Sequence, residues 1–559
     1  MSDAVEVTIP VSAPTIVRHE SVSGSFTGPH LDAPAAMPKD WTQGRGQYAL
    51  TISTSSWLPA IAGIPTILDY PHGCFEQITS KLLCYALLAN LTDYLPGTQA
   101  RLADYKPIFQ KGIEQIESSL LDDGRLPYWP GDTEGNDFVT CQACWALNEA
   151  AAAGFDIPDG LADKLAKSVK AIASGSGDID NRAFALFVLA SLKSADTDYP
   201  AIASDIYLHR QAMGMDGRAL LAMALHQLNI MNDEKLQLMR EIDKSVVPTA
   251  FKPADFGSPD RTEGICAMAF ETIAPPNFTP AKKEEIRKRL LHVLDSGSVL
   301  SAAPDSEQGL SITQTPAGYT LSTFTFSTQE NLWLILAFKS LIDSQPAPAL
   351  SSPQPAPALV SKNGASAQWP GTANSPLGAP FSIAALNQSP LTFLMQADYS
   401  LPQLDVPRVD RGFRMERVVH DLTDSSRYGA AAAPFHIGDQ LLVTYRVFTE
   451  RQQYFVALED ALPAAFETVN PDLAQIGKFF ELPAAGPNDL LLDLSHSELR
   501  DRSTLLYFDE MEPGPGVYSI LVRVTAAGTF RWPQTQVYPM YDSRFSGCSA
   551  SSVCVVSAE

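Results

Sequence analysis

The residues best equipped for chemistry stand together at Tyr70-Pro71-His72-Gly73-Cys74-Phe75-Glu76-Gln77, directly ahead of the helical run ITSKLLCYALLANL. Cys74 and Gln77 are three apart, where a glycine-containing turn runs into a helix. That spacing lets the Cys74 sulfur reach the side-chain carbonyl of Gln77 and displace ammonia. The product is an internal β-cysteinyl-γ-glutamyl thioester, an acyl donor awaiting a nucleophile. Gly73 gives the backbone freedom to tighten the ring. Glu76 is placed either to carry a proton or to hold the turn. A cysteine at a helix start is also an ordinary packing or capping residue, and spacing alone leaves both readings open.

Other reactive residue types are dispersed. The seven cysteines (Cys74, Cys84, Cys141, Cys144, Cys266, Cys548 and Cys554) are too few for a disulfide framework and odd in number. Cys141 and Cys144 have metal-like or redox-like spacing, but they lie in the apolar helical stretch FVTCQACWALNEA. With no second CxxC and no nearby histidine, they read as two small core residues. Cys548 and Cys554 bracket GCSASSVC, and whether they pair is not decided by spacing. His209, His226 and His292 fall in separate helical segments without HxxxH or HExxH spacing. No GxSxG, P-loop or dinucleotide fingerprint occurs. No metal and no cofactor are expected.

Composition narrows the function classes. Forty Lys and Arg stand against 63 Asp and Glu, a formal net charge of −23, and no segment concentrates basic residues into a stripe. A nucleic-acid partner is therefore not expected. The chain is 45% hydrophobic and 18% charged over 559 residues, enough for large cores and about three or four domains. The longest apolar runs, Leu82 to Leu91 and Leu332 to Phe338, fall short of the ~20 residues a membrane span needs. The opening MSDAVEVTIPVSAP lacks a basic start followed by an apolar stretch, so it does not read as a secretory signal. It reads as a strand entered midway, and the chain is expected to be a portion of something larger.

The elements that must position the Cys–Gln pair show three textures. Residues 1 to about 50 alternate as strands do (VEVTIPVSA, QYALTIST). From about 56 to 343 apolar residues recur at three- and four-residue intervals between short turns. Small-plus-aromatic faces repeat around Trp145, Phe187, Met223, Met268 and Trp333, most followed by a more charged partner such as AKKEEIRKRLLHVL. Paired helices about every 40 residues imply a solenoid or a closed ring. Closure into an α/α toroid is expected, since neither end carries a distinct polar cap. Residues 344–364 (SQPAPALSSPQPAPALVSKNG) form a Pro/Ala-rich linker favouring an extended, unpacked state. Short alternating strands (LLVTYRVF, QYFVALED, YSILVRVTA, TQVYPMY) then continue to the end, as a β-sandwich requires.

At YPHGCFEQ the sequence resembles the bacterial branch of the α2-macroglobulin and complement family, which carries a YP-x-GC-x-EQ segment at the start of a toroidal thioester domain. DGRLPYWPGD (123–132) resembles a glycine- and tryptophan-marked loop of the family, and FSTQENLWLILAF (326–338) its final inner helix. GFRMERVVHDL, GDQLLVTYRV, ALEDALPAAFETVNP and TQVYPMYDSRFSGCSAS resemble its C-terminal macroglobulin-like sandwich. The resemblance covers nearly the whole chain and implies the C-terminal third of a full-length relative. It implies a multidomain α + β chain: a β segment over 1–50 ending a CUB-like or macroglobulin-like domain, an α/α-toroid thioester domain over 51–343, and the linker. A β segment over 365–404 completing the CUB-like domain and a macroglobulin-like β-sandwich over 405–559 would follow.

The same resemblance implies a broad-range protease trap, not a turnover enzyme. Cys74 and Gln77 would form the thioester that acylates a lysine of an attacking protease, after cleavage of a bait segment in upstream macroglobulin-like domains. Tyr70 and Phe75 on the toroid side, with Tyr538, Met540 and Tyr541 on the sandwich side, would shield it from water. His72 departs from the aromatic residue common at its position, and either acts as a local base or fills a polar turn. The stretch from Gly124 to Thr140 contains no histidine, which resembles the members that prefer amines to hydroxyls. The implied compartment is the periplasm or cell envelope, with any membrane link only through an upstream anchor. Two other readings stay open: a family member whose thioester never forms, serving as an envelope scaffold, and a toroidal enzyme with Cys74 as nucleophile.

Overall fold

The computed structural model describes residues 17–26, 30–33, 46–53, 67–68, 73–89, 98–193, 196–247, 256–296, 327–340, 359–360, 366–372, 381–384, 391–400, 408–422, 434–469, 490–500, 503–542 and 544–558. Among them are eleven helices: α1 (Phe75–Ala89), α2 (Thr98–Ser118), α3 (Asp137–Ala152), α4 (Leu161–Ser174), α5 (Ile179–Ser191), α6 (Tyr199–Leu208), α7 (Met215–Leu228), α8 (Asn232–Lys244), α9 (Pro259–Ile273), α10 (Pro280–Ser296) and α11 (Thr328–Ser340).

The odd-numbered helices form a closed inner ring. Each packs against the next, and α11 returns against α1. The even-numbered helices sit outside, each on the inner helix before it. Amphipathicity sorts the two layers. On α5 every residue from Arg182 to Ala190 is buried, and on α7 every residue from Ala219 to Leu225. Such helices need neighbours all round. Outer helix α8 buries only Leu238, Met239 and Ile242. Starts are set by side-chain caps: Asn136 accepts from the Val139 amide, Asp178 from Asp180 and Asn181, and Ser258 from Arg261. The seam between α9 and α11 depends on Gly264, where a Cβ would lie 2.9 Å from the Trp333 carbonyl carbon. The expected α/α toroid is the observed architecture.

Strands from both sides of the ring join one sheet, in the order 17–26, 391–400, 46–53, 366–372, 359–360. The toroid is thus inserted between two pieces of a single β layer. Leu359 and Val360 pair with Gln368 and Ala367, so these two residues of the 344–364 stretch form a sheet edge, and the rest of it lies outside the described residues. Hydrogen bonding to a formed neighbour outweighs the compositional bias at this pair once the proline run has ended.

The C-terminal sandwich stacks a sheet of 466–468, 514–524, 440–449 and 413–421 against a six-stranded sheet running 496–499, 503–511, 453–461, 535–539, 546–548, 409–411. A three-stranded sheet of 435–436, 552–557 and 528–532 closes one side. All three sheets meet on one ion pair. Asp460, fully buried, accepts hydrogen bonds from Arg417 Nη1 (2.8 Å), Tyr445 Oη (2.8 Å), Thr535 Oγ1 (2.9 Å) and Trp532 Nε1 (3.2 Å). Arg417 also donates to Pro533 O and Ser552 Oγ, and its guanidinium lies 4.1 Å from the Trp532 ring centre. Every polar atom at this junction has a partner, which is what makes a buried pair tolerable. Cys548 and Cys554 are both free. Arg417→Met strands the Asp460 charge and should lower unfolding stability of the sandwich by about 3–5 kcal/mol, read as a fall in the urea midpoint. A midpoint unchanged from wild type would contradict this account of the junction.

Candidate functional site

The Cys–Gln motif enters α1 as a capped helix start. The Cys74 carbonyl accepts from the Ile78 amide at 3.0 Å, and the Phe75 amide donates to the Tyr128 carbonyl at 3.0 Å. That second bond ties the motif to the loop before α3. The chain around Gly73 is overlooked by the sandwich, with Glu498 Oε1 3.9 Å from where a Cβ would stand. Cys74, Phe75, Glu76 and Gln77 are all completely buried.

Two consecutive sandwich residues meet the pair. Tyr541 Oη lies 3.8 Å from Cys74 Sγ, and Met540 Sδ accepts from Gln77 Nε2 at 3.5 Å. The Gln77 side-chain carbonyl oxygen is buried and has no hydrogen-bond partner. Around them runs an aromatic wall drawn from both domains. Phe256 stacks on Phe455 at 4.8 Å and meets Tyr541 edge-on at 4.9 Å, while Tyr128 packs on Phe455 at 5.2 Å. Trp129 stacks on His496 of the sandwich at 4.3 Å. Aromatic pairs of this geometry exclude water as well as adding contact energy.

Beneath the pair lies a polar core centred on Glu76. Its carboxylate accepts from Ser80 Oγ (2.6 Å), Gln329 Nε2 (2.6 Å), Tyr541 Oη (2.8 Å) and Thr328 Oγ1 (3.0 Å). Gln142 of α3 donates to the Glu76 backbone carbonyl and accepts from Gln329. Gln329 in turn accepts from Arg261 Nε at 3.3 Å and Trp333 Nε1 at 3.2 Å. One carboxylate therefore gathers donors from α1, α11 and the sandwich.

Burial sets the electrostatics. Removal from water, reinforced by the Glu76 charge, pushes the Cys74 thiol up to about 12. Burial also raises the phenols of Tyr541 and Tyr128, with the Cys74 and Glu76 charges adding to it. Charge on the sulfur is disfavoured as long as the enclosure holds. A donor-free carbonyl oxygen beside it offers nothing to stabilise an oxyanion. The arrangement suits a reactive carbonyl that must not react yet.

Of the residues expected at the site, Phe75, Glu76, Met540 and Tyr541 come together on Cys74 and Gln77. Tyr538 is half-buried at the edge of the same cluster. Tyr70 and His72 lie outside the described residues. Sequence reasoning passed over Tyr128, Phe256, Phe455, Gln142, Thr328 and Gln329. A signal existed for the last three, polar residues set into inner helices that are otherwise apolar. Phe256 and Phe455 carried none. Cys141 and Cys144 are core residues of α3, and among the described residues no cluster of three His, Cys, Asp or Glu side chains is arranged to hold a metal. No described helix is long and apolar enough to cross a membrane.

Comparison with known proteins places this geometry. Residues 412–543 match the bacterial alpha-2-macroglobulin MG10 domain. The family resemblance is borne out. The chain superposes with a TM-score of 0.74 on native alpha-2-macroglobulin from Escherichia coli spanning domain MG7 to the C-terminus, at 16% identity over 97% of this chain and 82% of that one. It superposes equally well, at 0.74 and 17% identity, on Salmonella alpha-2-macroglobulin reacted with methylamine, covering 97% of this chain and 34% of that one. The native conformation of the E. coli protein gives 0.73 at 16% identity, with 33% of its length covered. The chain thus has the fold of the C-terminal region of bacterial alpha-2-macroglobulins and spans about a third of the length of the longer structures. No curated protein matches its sequence.

The helical ring carries its own pH dependence, independent of any bond at Cys74. Burial raises the thiols of Cys84 and Cys141, and pushes Cys144 up to about 12. Above about pH 8.5 the unfolded chain releases these protons and the folded ring retains them. The unfolded state then binds fewer protons, so stability falls as pH rises toward the folded values. Urea midpoints under reducing conditions should drop steadily between about pH 8 and pH 10.5, and replacing Cys84, Cys141 and Cys144 by alanine should flatten that slope. An equal slope in the triple variant would show that the thiols are not its source.

Proposed function

We propose that Cys74 and Gln77 close an internal thioester, and that the chain is the acylating and shielding part of a bacterial alpha-2-macroglobulin-type protease trap. The observation that carries this reading is the enclosure itself. A cysteine and a glutamine one turn apart, with no solvent exposure, face consecutive residues of a second domain, and the glutamine carbonyl is left without a donor. An ordinary core would fill such a site with apolar side chains or satisfy the amide.

Ring closure joins Cys74 Sγ to the Gln77 side-chain carbonyl carbon and releases ammonia. The thioester then survives because water is excluded and because attack would expel a thiolate into surroundings that disfavour it. Cleavage in upstream macroglobulin-like domains parts the sandwich from the toroid. Exposed to water, the sulfur becomes a good leaving group, and a lysine of the attacking protease takes the acyl group as an amide on Gln77, leaving Cys74 as a free thiol. One chain performs one acylation, so the protein is an inhibitor and not a turnover enzyme. Amines are preferred: the loop from 124 to 140 holds no histidine, and His496, which stacks on Trp129, departs with the sandwich. The compartment that fits is the periplasm or cell envelope, where foreign proteases arrive.

Intact mass tests the bond. The purified protein should be lighter than its sequence by one ammonia and resist alkylation at Cys74, and methylamine should add once per chain while freeing one thiol. A full uncyclised mass with Cys74 alkylatable after unfolding would replace the trap with an envelope scaffold. Met540→Ala should hasten methylamine incorporation by about tenfold, equivalent to about 1.4 kcal/mol of lost protection, with both domains still folded. An unaltered rate removes Met540 from the shield. Glycerol at matched concentration should label Gln77 more slowly than methylamine, and the reverse order would overturn the amine preference.

A further inference from the structure

The polar core under the pair has proton positions fixed by chemistry. A carboxylate only accepts, so the single phenolic proton of Tyr541 lies toward Glu76 Oε2 at 2.8 Å. The Tyr541 oxygen then has only lone pairs left to offer. Tyr128 Oη at 2.7 Å therefore donates to it, and the Cys74 thiol, 3.8 Å away, is placed to do the same. The sequence Cys74 S–H to Tyr541 O–H to Glu76 is aligned from donor to acceptor without a break, wholly inside the protein.

We propose that Tyr541 catalyses closure of the Cys74–Gln77 ring by passing the thiol proton to Glu76. This rests on the thioester reading above. The Cys74 proton moves to Tyr541 Oη while the proton of Tyr541 moves to Glu76 Oε2. The freed sulfur pair forms the C–S bond to the Gln77 side-chain carbonyl carbon. The C–N bond breaks, and the amide nitrogen leaves as ammonia, carrying the proton that Glu76 returns through the same oxygen. One S–H and one C–N bond are exchanged for one C–S and one N–H, and no other reactant is needed. Tyr541 is the catalytic residue, since it touches the sulfur. Glu76 acts through it as a positioning residue, itself held by Ser80, Thr328 and Gln329.

The relay answers a difficulty the enclosure creates. A thiol pushed up to about 12 yields almost no thiolate at neutral pH, so spontaneous attack would be slow. It also places the closing step in the right state. Tyr541 belongs to the sandwich, so the acyl donor forms only once the sandwich has docked and the site is dry.

The test begins from ammonia-opened protein, which regenerates the Cys74 thiol and Gln77 amide, and follows reclosure after desalting by loss of thiol reactivity and of one ammonia in mass. Among the described residues the titratable groups facing Glu76 are Cys74 just ahead of its helix, Tyr128 on the loop before α3 and Tyr541 on the sandwich. Gln142, Thr328 and Gln329 do not titrate, and the Arg261 cation reaches it only through Gln329. Tyr541→Phe, which keeps the ring packing, should reclose about 100-fold more slowly than wild type, and Glu76→Gln likewise. Wild-type reclosure should be level through neutral and mildly alkaline pH. The Tyr541→Phe rate should instead climb about tenfold per pH unit with the thiolate supply. Reclosure of Tyr541→Phe within twofold of wild type overturns the relay and leaves the thioester standing. So does a wild-type rate that climbs tenfold per pH unit, a reading that needs no variant to fold. A wild-type protein that never recloses or cyclises brings down the thioester reading as well.

Discussion

A carboxylate taken completely out of water, with no cation in direct contact among the described residues, has to be held by hydrogen-bond donors from every side. Glu76 is held that way, and the molecule is arranged around the requirement. Its donors come from its own helix α1, from α11 across the seam that closes the toroid, and from Tyr541 of the sandwich. A positive charge, Arg261, polarises it at one remove through Gln329. Ring closure and domain docking thus share a single acceptor. An unmet lone pair at such a dry site costs more than a met one gains, so the closed, water-free site needs donors from both seams.

The same economy explains why reactive and protective residues are interleaved. Cys74 and Gln77 flank Glu76 in the chain, and Met540 and Tyr541 adjoin one another in the sandwich. One docking contact therefore serves three ends: it meets the Gln77 amide, contacts the sulfur and completes the carboxylate's donor set. Separation of the domains undoes all three together. Such coupling suits the proposed trap, which is inert until disturbed, because partial opening does not leave a shielded sulfur beside an exposed carbonyl.

Much of this was legible in the residues. Helix pairing followed from the 3.6-residue period, the ring from small residues on alternate helices, and the candidate Cys74–Gln77 pair from its glycine turn together with family likeness. Phe75, Met540 and Tyr541 were legible as shield candidates only through family likeness, since aromatic and thioether side chains mark any core. The polar cluster was less visible because its members are far apart in the chain: Gln142, Thr328 and Gln329 look like isolated exceptions until the ring brings α1, α3 and α11 together. Phe256 and Phe455 could not be read at all, because only the docked arrangement makes them neighbours. Two residues of the Pro/Ala-rich segment were not legible as paired. Composition describes an isolated chain, whereas Leu359 and Val360 are paired by a strand that follows them.

The two large junctions of the chain solve the problem of buried charge differently, and the difference bears on what each does. In the sandwich, Asp460 has Arg417 directly against it, and the pair is tied to three sheets that are not required to separate. Direct pairing gives a joint that is costly to break. At the toroid–sandwich boundary the carboxylate is satisfied by neutral donors, of which the sandwich supplies one. When that domain leaves, water can take the place of Tyr541 at Glu76 with little loss, since the exchange is one neutral donor for another. A guanidinium there would have left an unpaired charge on each face and resisted the parting. Neutral donors at the boundary that opens in the proposed trap, and an ion pair at the junction that stays closed, are what that proposal requires.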